Sequence, residues 1–426
     1  MASNQLRKIA IVGGVRIPFC RSNSAYAEET NLDMLAASMQ GLIDRYQLAG
    51  EKIDEVVGGA ITTHAKDWNL AREALLSTSL SPLTPGITLM QACGASLQAA
   101  MMSGAKIAAG QIESAIAIGS DTTSDAPIVF GRKFARRMIR LSQARSMGQR
   151  WNILKGLRPG ELKPIAPQNA EPRTGLSMGQ HCERMAKEWG VSREDQDQLA
   201  YESHQKAHAA WENGDFDDAV VPYAGVTRDN NIRPETTLEK MAKLRTVFDR
   251  ENGTLTAANS TPLTDGAATV LLCSEEWAKQ RNLPIQAYMT YSRTSAVDFV
   301  NDEGLLMAPT IAVAEMLQAA NMSLQDFDFY EIHEAFAAQV LCTLKAWNSE
   351  EYCKERLGLD AALGEIDRSK MNVKGSSIAV GHPFGATGAR ILGHAAQLLE
   401  EKGSGKALIS ICTAGGMGVS AILERP

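Results

Sequence analysis

Four side chains with nucleophilic or acid–base chemistry lie at the ends of apolar runs that predict buried β-strands. They are Cys93, His333, His382 and Cys412. A cysteine that loses its proton is a strong nucleophile, and an imidazole within hydrogen-bond distance can accept that proton. A single histidine or cysteine is usually structural. Four of them at matching strand ends favour an active site with a cysteine nucleophile.

Cys93 lies where the apolar run 87–90 passes through a small-residue turn into a predicted helix at 97–108. A second buried strand is predicted at 112–118. At the start of a helix, unpaired N–H groups and the positive end of the dipole should favour the thiolate. The alternative interpretation is a buried small hydrophobic residue, which most free cysteines are.

A second copy of this strand–turn–helix–strand unit occupies residues 371–412, and its turn carries His382. The letters GAS at 94–96 correspond to GAT at 385–387. A unit that occurs twice predicts two similar domains around a pseudo-twofold axis, so the turns of Cys93 and His382 should face each other. Two further pairs of segments correspond: 53–61 with 327–336, and 265–276 with 415–426.

The predicted order of elements is that of an α/β protein with buried strands, beginning with a strand at 8–12 and a helix at 32–48. Residues 123–255 fit neither copy, and we interpret them as an inserted loop domain over the sheet core, where substrate-binding segments often lie. The predicted domains are therefore 1–122 plus 256–285, 123–255, and 286–426.

Composition restricts the function further. The chain has 426 residues, 44% hydrophobic and 22% charged, with a net charge of −6, which argues against nucleic acid as a partner. Seven cysteines without a CxxC pair argue against a disulfide framework or a structural metal site. No apolar stretch of signal-peptide or membrane-spanning length is present, so a cytoplasmic location is expected.

One segment departs from the acidic average. Residues 126–160 contain nine lysines or arginines and no acidic residue. Phe130, Phe134, Met138 and Leu141 recur at helical spacing, with basic residues on the other faces. This pattern predicts either a solvated helix packed on the body or a contact for phosphates, an acidic partner or an anionic membrane.

The motifs together resemble the thiolase family over nearly the whole chain, in order. They are IVGGVRIPF near the start, CGAS at 93, TAANSTPLTDGAA at 256, HEAF at 333, GHPFGATGAR at 381 and CTAGGMG at 412. The resemblance implies two duplicated halves packed as five layers, α/β/α/β/α. His333 stands where most thiolases have asparagine, which resembles the β-subunits of fatty-acid oxidation trifunctional complexes. A degradative 3-ketoacyl-CoA thiolase is therefore expected.

The resemblance also implies roles for residues. Cys93, deprotonated by His382, would attack C3 of the 3-ketoacyl-CoA. Cys412 would protonate the departing acetyl-CoA enolate and later deprotonate the incoming CoA. His333 would hold a water at the thioester oxygen, near His382, and the backbone N–H groups of Cys93 and Ala414 would bind the C3 oxyanion. Met178 and Thr261 correspond to substrate-pocket and pantetheine contacts, and Glu334 would orient a neighbour.

By the same resemblance, coenzyme A is a substrate and no cofactor or metal is permanently bound. A homodimer or tetramer is expected, with a hydratase/dehydrogenase subunit as a further partner and residues 130–158 as a candidate for that contact or for a membrane surface. Two alternatives stay open. One is an acetoacetyl-CoA thiolase or another condensing enzyme of the same fold, and the other is a non-enzymatic acyl-CoA or lipid carrier.

Overall fold

A computed structural model describes residues 6–426. Residues 1–5, which belong to the first predicted half and to the N-terminal segment inspected for a signal peptide, lie outside the described residues.

The first half contains β1 (Ile9–Arg16), β2 (Cys20–Arg21), α1 (Asn31–Arg45), β3 (Glu55–Gly59), α2 (Leu70–Leu76), β4 (Gly86–Thr88), α3 (Ala95–Ala108) and β5 (Ser114–Asp121). The intervening region contains β6 (Val129–Phe130), α4 (Arg132–Gln143), α5 (Met147–Leu154), β7 (Pro164–Ile165), α6 (Met178–Glu188), α7 (Arg193–Glu212) and α8 (Leu238–Ala242). It is followed by β8 (Thr264–Ser274) and α9 (Glu275–Gln280). The second half contains β9 (Ala287–Ala296), α10 (Ala308–Ala320), β10 (Phe329–Ile332), α11 (Ala337–Asn348), α12 (Glu350–Glu355), α13 (Ser377–Val380), α14 (Thr387–Lys402), β11 (Gly405–Thr413) and β12 (Met417–Arg425).

The strand order repeats between the halves. The sheet runs β10-β11-β12-β9-β1-β8-β5-β3-β4. In the first half β3 is parallel to β5, β5 antiparallel to β8, and β8 antiparallel to β1. The second half repeats this pattern with β10, β11, β12 and β9, and the halves join where β1 pairs with β9. The predicted duplication is confirmed.

Alternating side chains along the strands divide the core into layers. Ile116 and Ile118 of β5 pack in one cluster with α1, whereas Ala115 and Ala117 pack in a central cluster that includes residues of α3, α14 and β11. Leu408 of β11 faces the opposite way, towards α10. Because successive strand residues point to opposite faces, α3 and α14 form a shared central layer. The five-layer α/β/α/β/α fold is confirmed.

Two predicted strands differ from the structure. Of the run 87–90, only residues 87 and 88 lie in a strand, the short edge strand β4. Ile87 is 42% exposed, and Met90, beyond the strand, is 61% exposed. The segment before His382 is not a strand, because Ser377–Val380 forms one buried helical turn, α13. A four-residue apolar run has no periodicity that separates helix from strand. In this case Gly375 and Gly381, both at positive φ, bound the segment on either side.

No helix within residues 6–426 combines the length and apolarity needed to cross a lipid bilayer.

Candidate active site

The turns that begin α3 and α14 contact each other directly. Ser96 Oγ donates to the carbonyl of Gly385 over 2.5 Å and accepts from the N–H of Ala389 over 2.7 Å. This contact brings the imidazole of His382 against the thiol of Cys93, with 3.1 Å between Nε2 and Sγ. The two predicted turns therefore meet, and a base lies within hydrogen-bond distance of the nucleophile candidate.

The backbone around Cys93 is tightly constrained. Residues Ala92–Gly94 form a 3-10 turn immediately before α3, which begins two residues earlier than predicted. Ala92 has a φ of +47°, a left-handed conformation that costs energy for a residue with a side chain. Cys93 itself is only 7% exposed, so the nucleophile candidate is buried.

The resting protonation state differs from the expected thiolate. Burial raises the pKa of the Cys93 thiol to about 12, although the N–H of Ala414 acts in the opposite direction. Burial, with the positive charge of Arg390, lowers the pKa of His382 to about 3. Loss of water around the sulfur outweighs the helix dipole here. The resting pair is therefore a neutral thiol beside a neutral imidazole.

The other ring nitrogen of His382 indicates which tautomer is present. His382 Nδ1 lies 2.5 Å from Thr387 Oγ1, and this hydroxyl lies 3.1 Å from the carbonyl of Pro383. A carbonyl only accepts, so Thr387 donates to Pro383 and accepts from Nδ1–H of His382. Nε2 consequently presents its lone pair to Cys93, which is the tautomer that a base needs.

Cys412 lies at the end of β11 on the other side of the nucleophile. The hydroxyl of Thr413 donates to the carbonyl of Gln91 over 3.1 Å, and the N–H of Ala414 contacts the sulfur of Cys93. Burial and the neighbouring Cys93 raise the pKa of Cys412 well above its usual value. Cys412 is 1% exposed, so loss of water around the sulfur favours the neutral thiol.

His333 completes the cluster. Its ring centroid lies 4.2 Å from that of His382, and ligand atoms of Cys93, His333 and His382 all lie within 4.8 Å of one another. His333 is fully buried, and its Nε2 has no hydrogen-bond partner among the described residues. One sulfur and two imidazoles are a set that zinc can accept. The expected absence of a bound metal stays a prediction.

The other predicted residues surround this centre. Thr261 donates its N–H and its hydroxyl to the carbonyl of Ala335, over 3.1 and 3.2 Å, beside the HEAF segment. Met178 begins α6 and packs on the core cluster that contains Cys412. Glu334 is buried and accepts from Ser203, Asn372 and the N–H of Ile378.

Three charged residues of the site were missed from the sequence. Asp121 ends β5 and accepts from the N–H of Gly385 over 2.7 Å, which ties the first half to the turn of the second. Glu171 accepts from the N–H of Gly415 over 2.8 Å. Arg390 lies buried on α14. The position of Asp121 at the end of a strand and of Arg390 on an apolar helix could have identified both from the sequence. No sequence pattern around Glu171 marks it as a site residue.

Comparison with known proteins places this site in a family. The family model described as "Thiolase, N-terminal domain" matches residues 9–276, and "Thiolase, C-terminal domain" matches residues 284–425. The chain is 42% identical over 430 residues to proteins named 3-ketoacyl-CoA thiolase from Yersinia pestis and Yersinia pseudotuberculosis, covering 100% of this chain and 98% of those proteins.

Solved structures agree. The acetyl-CoA acetyltransferase of Bacillus anthracis is 29% identical with a TM-score of 0.81, covering 99% of this chain and 100% of that one. Human mitochondrial 3-ketoacyl-CoA thiolase in complex with CoA is 27% identical with a TM-score of 0.82, covering 99% of each chain. From both family models and full-length relatives, the chain belongs to the thiolase family.

Proposed function

We propose that this protein is a degradative 3-ketoacyl-CoA thiolase that cleaves 3-ketoacyl-CoA with CoA to give acetyl-CoA and a shortened acyl-CoA. The observation that carries the proposal is the 3.1 Å contact between Cys93 Sγ and His382 Nε2, in a buried site that Cys412 also borders. The 3-ketoacyl-CoA thiolases that are 42% identical support the substrate class.

In the first half-reaction, the Cys93 thiol transfers its proton to His382 Nε2 as its sulfur attacks C3. The resulting oxyanion lies on the backbone N–H groups of Cys93 and Ala414. Each such donor lowers the barrier by roughly 3–4 kcal/mol, because it is fixed where negative charge develops. When the C2–C3 bond breaks, its electrons pass to the enolate of acetyl-CoA, and Cys412 protonates C2. His333 and His382 stabilise the negative thioester oxygen of that enolate, with a water held by His333.

In the second half-reaction, Cys412 takes the proton of an incoming CoA thiol. The CoA sulfur attacks the acyl-Cys93 thioester, and the shortened acyl group leaves as acyl-CoA. Cys93 recovers the proton that His382 had accepted. Both thiols therefore return to the neutral state that burial favours.

Coenzyme A is the proposed co-substrate, bound between the inserted region and the core. A cavity of about 180 Å³ lies beside Thr261 and is bordered by Arg233, Lys240 and Ser260. We propose that Thr261 contacts the pantetheine arm, that Met178 borders the acyl pocket, and that Arg233 and Lys240 attract the CoA phosphates. The oxygen of Thr261 can still accept from a pantetheine N–H, because the hydroxyl already donates to Ala335.

The proposed reaction is tested by mixing purified protein with CoA and 3-ketoacyl-CoA substrates of increasing chain length. The absorbance of the magnesium enolate of the substrate should decrease, with acetyl-CoA and an acyl-CoA two carbons shorter as products. Turnover confined to acetoacetyl-CoA would support the biosynthetic alternative instead. Absence of turnover at every chain length, with acyl-CoA bound, would support a carrier.

The proposed domain division remains 1–122 plus 256–285 and 286–426 as the two thiolase halves, with 123–255 as the inserted loop domain. We also propose a homodimer or tetramer in the cytoplasm. The edge strand β4 contains the exposed Ile87 and is followed by the exposed Met90. It supports pairing with a second copy, since unpaired apolar sheet edges rarely face water. Seven free cysteines fit a reducing compartment.

The helical hairpin formed by α4 and α5 supports a further partner. Within α4 no residue is buried. Both interpretations, a solvated helix packed on the body and a contact for a partner or membrane, stay predictions. Arg137 holds the hairpin together through Glu161 and the carbonyls of Ile153 and Gly156. Ile139, Met147 and Trp151 are 57%, 75% and 68% exposed beside the remaining basic residues. We propose that this surface contacts an acidic patch of a hydratase/dehydrogenase subunit.

Arg136→Glu combined with Arg140→Glu should abolish co-purification with that subunit, because both side chains border the basic pocket on α4 and neither holds the hairpin. Arg137 is left unchanged because it is structural. Lys279→Glu on α9, outside the hairpin, serves as a control for a charge reversal elsewhere on the surface. Unaltered co-purification of the double variant would contradict the proposed contact. If the unaltered protein bound anionic vesicles and the double variant did not, the hairpin would be assigned to a membrane instead.

A further inference from the structure

A chain of hydrogen bonds runs from a buried arginine to the second active-site histidine. Arg390 Nη2 lies 2.7 Å from Ser377 Oγ, and Ser377 Oγ lies 2.8 Å from Nδ1 of His333. All three residues are less than a tenth exposed. The chain ends at the imidazole of His333, whose Nε2 has no hydrogen-bond partner among residues 6–426. One ring nitrogen of His333 lies within 4.8 Å of ligand atoms of Cys93 and His382.

The direction of each bond follows from what each group can do. A guanidinium only donates, so Ser377 must accept from Arg390. The hydroxyl proton of Ser377 has one acceptor among its hydrogen-bond partners in residues 6–426, namely His333 Nδ1. Were Nδ1 protonated, the serine oxygen would accept twice and its own proton would be buried without an acceptor, which is unfavourable.

We infer that Ser377 and Arg390 are positioning residues that hold His333 as the tautomer with its proton on Nε2. His333 then presents an N–H donor to the site, whereas His382 presents a lone pair to Cys93. Neighbouring imidazoles are thus held in opposite tautomers, one by Arg390 through Ser377 and the other by Thr387. The role of the donor rests on the proposed function, in which it supports the thioester oxygen of the acetyl-CoA enolate, directly or through a water.

Arg390 is suited to this task because its guanidinium stays charged near neutral pH, even though burial lowers its pKa to about 10. The buried Glu334 beside β10 counters that charge. Burial raises the pKa of Glu331 on β10 to about 8, so Glu331 is mostly protonated at pH 7. Glu334 also accepts from the N–H of Ile378, which fixes the turn that carries Ser377. A protonated Nε2 cannot ligate a metal, so the same arrangement keeps the cluster of Cys93, His333 and His382 from acting as a zinc site.

The same arrangement accounts for a histidine, instead of the more common asparagine, at position 333. An asparagine amide, common at this position in thiolases, offers an N–H donor without help from a neighbour. A neutral histidine offers one at Nε2 only if the other nitrogen is kept unprotonated. Ser377 supplies that condition.

The test combines solid-state ¹⁵N NMR of protein labelled at the histidine rings with steady-state kinetics. His333→Asn identifies the His333 signals by their loss. In the unaltered protein, His333 should show a protonated Nε2 and an unprotonated Nδ1. Ser377→Ala should mix the two tautomers and lower kcat for thiolysis by about 10–100-fold, the usual loss for a residue that orients a catalytic imidazole. KM should change less than kcat.

Two further variants show whether Ser377 acts by orienting the His333 ring or only by packing in the core. Ser377→Thr retains the hydroxyl and should restore both the tautomer and most of kcat. Ser376→Ala removes a neighbouring buried hydroxyl that contacts Arg390 at 3.4 Å but has no bond to His333, and it should behave like the unaltered protein. A protonated Nδ1 in the unaltered protein, or unchanged tautomer and kcat in Ser377→Ala, would overturn the inference. The NMR result stands even if no thiolysis is found, so failure of the proposed function is distinguishable.

Discussion

Replacing Cys412 with alanine should lower the rate of carbon–carbon bond cleavage by about 10²–10⁴-fold, the usual contribution of a general acid or base, while Cys93 still accepts an acyl group from acyl-CoA. The two reactions expel different leaving groups. Cleavage of 3-ketoacyl-CoA expels a carbanion equivalent that must be protonated at C2. Acyl transfer from acyl-CoA is the reverse of the second half-reaction, so Cys412 would also protonate the departing CoA thiolate. A thiolate is nevertheless a much better leaving group than a carbanion, and its departure depends far less on an acid.

The variant is tested by following thiolysis of 3-ketoacyl-CoA and, separately, acyl-Cys93 formation from acyl-CoA by mass spectrometry of the intact protein. Cys342→Ala is the matched control, because Cys342 is also a fully buried free cysteine but lies on α11, outside the hydrogen bonds described for the site. Thiolysis by Cys412→Ala at the unaltered rate would assign the proton transfer to another group. A condensing enzyme without a second catalytic cysteine would behave in that way.

The fold could be predicted because the same order of strand and helix patterns occurs twice along the sequence. The segments 53–61 and 327–336 became β3 and β10, each parallel to the strand that follows its central helix. Buried parallel strands need continuous apolar runs, and such runs are visible without coordinates. The meeting of the Cys93 and His382 turns followed from the pseudo-symmetry of the two halves.

The partners of the site could not be predicted in the same way. Ser377 lies 44 residues from His333, and Ser96 lies 289 residues from Gly385, so no local pattern connects these pairs. The protonation states also required the structure. A helix N-terminus favours thiolate, but the extent of burial decides whether that effect prevails, and burial is a property of the folded chain.

A neutral resting site has a mechanistic consequence. Neither Cys93 nor Cys412 carries a charge before substrate binds, because both thiols have pKa values raised by burial. In the proposed reaction, charge arises only as bonds change, at substrate atoms that would face the N–H donors of Cys93 and Ala414. The donors need little rearrangement at that moment, which is the condition for strong electrostatic stabilisation of a transition state.

Replacing His382 with asparagine should lower activity more severely than replacing Cys412 with alanine. Without a base, acylation of Cys93 depends on the small fraction of thiol that ionises spontaneously, and with a pKa of about 12 that fraction is about 10⁻⁵ at pH 7. We expect the acylation rate at pH 7 to fall by about 10⁴-fold, as in other nucleophile–histidine pairs that lose the working base.

The rate of Cys93 acylation should depend on pH in His382→Asn but not in the unaltered enzyme. In His382→Asn the rate should rise about tenfold per pH unit from pH 7 to 10, because the thiolate fraction rises tenfold per unit below a pKa of about 12. The unaltered enzyme should show no such rise, since His382, with a pKa of about 3, is already a neutral base throughout that range.

Single-turnover acylation measured by rapid quench distinguishes the two profiles, with His208→Asn on α7 as a histidine control. A flat profile in His382→Asn would mean that Cys93 is activated by a different group, and a rising profile in the unaltered enzyme would mean that His382 does not act as its base.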